Sequence, residues 1–192
     1  MVAWGCAPKQ EAVPEAKNGD FLVSCIAVMP VVPVAESEGT VSPAEEKALV
    51  TGSQVMNGLL KEQLAGRAKV RFAREEQVPA GILTANAARQ VAGQMQCNTV
   101  LEVSLNQFSE RVGGDYGVKQ PAAVTFAYKL YEVGEGRMLC HGRFDERQQS
   151  VMENLLALPK ARSRGLTWLT AEELARDGLQ ERLGQCSYLG GK

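Results

Sequence analysis

Phe21 to Val34, read FLVSCIAVMPVVPV, constrains the fold more than any other stretch. From Ile26 to Val34 no side chain is polar, and β-branched Val and Ile recur. A strand that is apolar on both faces is covered from two sides, so this run is expected at the centre of a sheet. Pro30 and Pro33 have no N–H to donate and are expected to end its ladder. A buried helix fits this run poorly, because two prolines stand so close together.

The flanking patterns supply covering helices. Ser42-Pro43-Ala44-Glu45 is a capping box with proline at the first helical position. Leu49, Val55, Met56, Leu59, Leu60 and Leu64 then recur at helical spacing, and Gly66 is the expected stop. Gly52 and Gly58 either weaken this helix or let it approach the sheet closely. Ala68 to Ala73 reads as a short polar strand near an edge. Thr84 caps a second helix over 85–96, with Ala88, Val91, Ala92 and Met95 facing inward. Thr170-Ala171-Glu172-Glu173 opens a last helix to about Leu183, with Leu169 and Leu174 placed as a hydrophobic staple.

Between the last two helices the period changes to two. Leu101, Val103 and Leu105 alternate with Glu102, Ser104 and Asn106. Val124, Phe126, Tyr128 and Leu130 alternate with Thr125, Ala127, Lys129 and Tyr131. After Gly134-Glu135-Gly136, Met138, Cys140 and Phe144 alternate with Leu139, His141 and Arg143. Pairing Leu101 with Leu130, and Leu130 with Cys140, puts the apolar sets on one face, and a one-residue slip would break that match. The expected fold is α/β (α+β). It has a mixed sheet of about five strands in the order β-α-β-α-β-β-β-α, ending in an antiparallel meander. Residues 1–19 read as signal remnant and tether, 20–184 as one domain, and 185–192 as a tail.

Several kinds of chemistry are excluded or weak. A formal net charge of -1 carries no basic excess for nucleic acid. One histidine, His141, and no CxxC pair leave no ordinary zinc site, and no metal or cofactor is expected. Glu36 and Glu38 follow the first strand, where open α/β sheets bind ligands. They read as a solvated acidic loop. Ser104, His141 and Glu102 share the polar sheet face, which is an ordinary wet surface before it is a catalytic set. Lys160, Arg162 and Arg164 form a short basic run, read as solvated. No catalytic residue is assigned. The hairpin tip carries Arg111, Asp115, Tyr116 and Lys119 among Gly113, Gly114 and Gly117. Tyrosine and arginine are common interface anchors, so these four residues are the expected partner-binding set.

Apart from Cys6, the cysteines are Cys25, Cys97, Cys140 and Cys186. In the meander Cys97 and Cys140 stand about two strands apart, at about 4.8 Å per strand. That exceeds the roughly 7 Å limit for bridged α-carbons. Cys25 and Cys140 are expected as small core residues, Cys186 lies in the tail, and no bridge is assigned.

The small Gly5 before Cys6, followed by the polar Ala-, Pro-, Glu- and Lys-rich segment 7–19, resembles the start of a bacterial lipoprotein. Trp4 and Ala3 depart from that pattern. The opening strand IAVMPVVP with a long helix and a short strand after it resembles the amino-terminal domain of TolB. It is similar also to periplasmic lipoproteins that activate penicillin-binding proteins and to the curli-secretion lipoprotein. The resemblance implies lipidation at Cys6, attachment to the periplasmic face of the outer membrane, and a non-catalytic adaptor or assembly role with an envelope-protein partner. The alternative is a soluble α/β enzyme or small-ligand-binding domain with its site in the loop after the first strand.

Overall fold

The computed structural model describes residues 21–35, 42–67, 69–78, 84–114, 117–148 and 168–190. The opening run supplies β1, Ile26–Val28, which is fully buried. It lies parallel between β3, Val70–Phe72, and β4, Thr99–Ser109, with Ile26 opposite both Val70 and Thr99. The sheet continues antiparallel through β7, Ala123–Glu132, to β8, Met138–Arg147. As expected, β1 serves two cores. Ile26 and Val28 face the larger one, while Cys25, Ala27 and Met29 face the smaller.

Pro30 interrupts the ladder but does not end it. Val31 donates its N–H to the Asn57 side chain at 2.8 Å. The chain then returns to β4 as β2, Val32–Pro33, and Val34 donates to the Leu105 carbonyl at 2.8 Å. Successive N–H groups along a strand point to opposite sides, so the Pro33 nitrogen faces away from β4, where proline is tolerated.

Helix α1, Pro43–Leu64, covers the larger core and carries the full Ser42/Glu45 capping box. Gly52 is its contact point, since a Cβ there would lie 2.4 Å from Phe108, whereas a Cβ on Gly58 would meet nothing within 4 Å. Gly66 follows at a φ of 75°, a conformation that costs glycine little. A single 3-10 turn, Glu75–Gln77, leads toward α2, Ala85–Gln94. Ala88, Val91 and Ala92 of α2 seal the smaller core. Helix α3, Ala171–Gly184, lies beside α1. The Gln63 amide of α1 donates to the Arg176 carbonyl at 2.9 Å. Arg176 forms ion pairs with Glu62 and Glu172. Leu169 and Leu174 are both buried, as the staple requires.

The meander has the expected register: Leu101 pairs with Leu130 and Leu130 with Cys140. A bulge after Leu130 shifts the strand end, so that Tyr131 pairs with Met138. Leu139, expected on the polar face, is therefore turned into the larger core. Between β4 and β7 a separate hairpin forms from β5, Val112–Gly114, and β6, Gly117–Gln120.

The cysteines depart from expectation. Cys25 is bonded to Cys97 with α-carbons 4.4 Å apart, and Cys140 to Cys186 at 5.9 Å. The first pair arises because β1 runs beside β4, a neighbour relation that the meander alone does not reveal. The second arises because residues 185–190 turn back onto the sheet, burying Cys186 and Leu189, while Arg67 donates to the Leu189 carbonyl. Bridges of this kind typically stabilise by about 2–4 kcal/mol, largely by restricting the unfolded chain.

The two α1 glycines give a direct test of this packing. Gly52→Ala should lower stability by about 1–3 kcal/mol through overpacking against Phe108. Gly58→Ala should raise it by roughly 0.5–1 kcal/mol through helix propensity. Urea denaturation of both variants reads the difference, and equal effects would mean that α1 does not approach β4 through Gly52.

Candidate functional site

Helix α2 covers β1 and the adjoining amino-terminal end of β4 on its sheet face. Beyond it the face is polar, with Glu102 opposite Lys129 and Lys129 opposite His141 in one row. Ser104 lies in the next row on the same face, opposite Ala127, which is opposite Arg143. Ser104 and His141 are thus two strands and one row apart, on the order of 12 Å from standard sheet spacings. A serine and its base need roughly 3 Å, so no Ser–His–Glu set forms. Glu102 instead meets a side chain of the neighbouring row, a pair not read from the sequence. The Tyr131 hydroxyl donates to a Glu102 carboxylate oxygen at 2.6 Å. Burial pushes the Tyr131 hydroxyl well above the ordinary tyrosine range, and the carboxylate beside it pushes the same way. Tyr128, on the opposite face, shifts upward through burial, and its hydroxyl donates to the Arg182 carbonyl at 3.0 Å.

Two depressions flank the Met29–Pro30 segment. One, of about 450 Å³, opens beyond the carboxyl ends of β1 and β3, between Asn57 and Lys61 of α1 and Arg74 to Glu76. The chain leaves β1 for α1 on one sheet face, and β3 for α2 on the other. This is a topological switch point, where α/β sheets bind ligands. The second depression, of about 160 Å³, lies on the α2 side of the sheet and is mainly aliphatic. Glu36, Glu38 and the basic run Lys160, Arg162 and Arg164 lie outside the described residues, as does Cys6.

The hairpin presents its expected residues unequally. Arg111 is half-buried at the neck and already engaged, while Lys119 is exposed. Val112 pairs with Gln120 and Gly113 with Val118, so Lys119 is the extra residue of a bulge, a device that re-aims a side chain. Gly113 adopts a φ of 132°, which L residues rarely reach. Glu110 ties the hairpin base to α3 by accepting the Ala171 N–H at 3.2 Å. Asp115 and Tyr116 lie outside the described residues. Among the described residues no cluster of His, Cys, Asp and Glu could hold a metal ion, and no helix is long and apolar enough to cross a membrane.

No protein-family model matches the chain, and no curated protein does. Among solved structures it is similar to the PelC dodecamer from Paraburkholderia phytofirmans, at 14% identity and a TM-score of 0.48, over 83% of this chain and 84% of that one. It is similar to the LpoB C-terminal domain from Escherichia coli, at 16% identity and a TM-score of 0.37, over 69% of this chain and 88% of that one. Lipoprotein GNA1162 from Neisseria meningitidis matches at 12% identity and a TM-score of 0.40, over 73% and 97% of the two chains. With TM-scores below 0.5, these likenesses assign no activity, and function has to be read from this chain's own residues.

The Tyr131–Glu102 pair predicts alkaline sensitivity. A group whose folded pKa is raised contributes stability that is whole below its unfolded value, near pH 10, and is lost as pH rises toward the folded value. The urea midpoint should therefore fall as the pH rises above about 10, and fall less in Tyr131→Phe. Parallel pH profiles for the two proteins would contradict the buried pair.

Proposed function

We propose that this chain is an exported, lipid-anchored adaptor of the bacterial cell envelope, held through Cys6 at the periplasmic face of the outer membrane. It binds another envelope protein and performs no catalysis. The observation that carries this reading is the cysteine pattern. Four of the five cysteines form two bridges, and bridges of this kind persist in oxidising compartments such as the periplasm. The fifth, Cys6, stands after a small residue and before the polar segment, where a lipoprotein carries its acyl chains. The opening strand–helix–strand resemblance to the TolB amino-terminal domain and to lipoprotein activators of penicillin-binding proteins belongs to the same reading.

The partner contact is assigned to the hairpin, through Tyr116 with Asp115, Lys119 and Arg111. Its strands form a two-stranded sheet of their own, and Glu110 at its base accepts the Ala171 N–H. A small-ligand role has one observation in its favour: the switch-point depression of about 450 Å³ falls within the usual size range of ligand sites.

Two experiments test the main reading. Expressed behind a signal sequence, the wild type should partition into detergent, because several acyl chains anchor stably. Cys6→Ser should move to the aqueous phase, and equal partitioning of the two would remove the anchor. Tyr116→Ala combined with Lys119→Ala should leave the melting temperature within a few degrees while reducing capture of the envelope partner at least tenfold. Unchanged capture would remove the hairpin as the contact.

A further inference from the structure

The second depression lies where the cover supplied by α2 ends. Met29 closes the smaller core, and beyond Pro30 the chain rejoins β4 with Val32 opposite Ser104. Val32 and Val34 are both partly exposed there. With Val78 and Ala127 they make an aliphatic trough of about 160 Å³, edged by Glu102, Ser104 and Lys129. Exposed apolar side chains are usually scattered singly, whereas here several converge on one concavity.

The size of the trough limits its occupant. Sites for drug-sized molecules span about 300–1,000 Å³. A cavity of about 150 Å³ holds a single benzene. This trough therefore fits one leucine- or phenylalanine-sized side chain, the dimension of an anchor pocket in a protein interface. The charge at its edge limits the occupant further. Glu102 is held by the Tyr131 hydroxyl. Lys129, opposite Glu102 across the strand pair, is exposed and forms no ion pair among the described residues. An acidic group beside the anchor would meet that ammonium without displacing any existing pair.

We infer that this trough is a second docking site for a protein partner, taking one large aliphatic side chain that has an aspartate or glutamate next to it. The inference rests on the adaptor reading for the nature of the partner. Its test requires neither the lipid anchor nor the hairpin, so the two readings fail separately.

The probe is N-acetyl-Leu-Asp-amide, titrated into the uniformly 15N-labelled full chain and followed by amide shifts. N-acetyl-Leu-Lys-amide and hexanoate serve as comparisons. The expected result is saturable shifts at Val32, Ser104 and Ala127, with the aspartyl peptide binding at least threefold tighter than the lysyl peptide. Lys129→Glu should reverse that order, and Ala127→Leu should abolish binding of both peptides. Lys129 is exposed, so its variant remains informative if Ala127→Leu does not fold. Equal binding of the two peptides, or shifts confined to other surfaces, would overturn the proposal. Tighter binding of hexanoate would mean a small-acid site instead. Shifts of these amides with protein concentration alone would mean that a second copy fills the trough. Either result also overturns it.

Discussion

The structure depends on the parallel alignment of β1 between β3 and β4. Only three residues of β1 enter the ladder, but each has a neighbour strand on both sides. Parallel neighbours cannot be joined by tight turns, so the chain must cross over twice with a helix. The crossover through α1 covers one face and the one through α2 covers the other. The two cores then follow from one strand whose successive side chains point in opposite directions. A charge at Ile26 or Ala27 would face an apolar helix in either direction, with no partner for it.

Much of this was legible because several local signals agreed. Alternation along β4, β7 and β8 defined a register, and the capping boxes at Ser42 and Thr170 defined where helices begin. What stayed hidden depends on which strands become neighbours. Nothing in a local pattern says that Ile26 lies opposite Thr99, so nothing local relates Cys25 to Cys97, 72 positions apart in the chain, although the β1–β4 pairing brings them together. The return of β2 after Pro30 was hidden for a similar reason. Proline forbids one donor, and whether that donor is needed depends on which way the nitrogen points. Leu139 was misplaced because a bulge breaks the period on which alternation relies.

The surfaces were less legible than the core. The polar row Glu102, Lys129 and His141 was read correctly from alternation. Its chemistry depended on Tyr131, two residues from Lys129 on the same strand, reaching Glu102. The trough required Val32 and Val34, which the sequence assigned to the end of a buried strand. Their partial exposure reflects where α2 ends, and that is a property of the packing between elements.

The two bridges join Cys25 to Cys97 and Cys140 to Cys186, so their loops follow one another along the chain without interleaving. If the chain is exported as proposed, an oxidant acting on thiols in the order in which they emerge from a translocation channel would make both native pairs directly, with no later reshuffling. That holds only if Cys6 is withdrawn beforehand. If its thiol were available it would stand ahead of Cys25 and take it, and every later pairing would shift by one. Chemical capping of the first cysteine would then act as more than an attachment: it would set the counting frame for the other four.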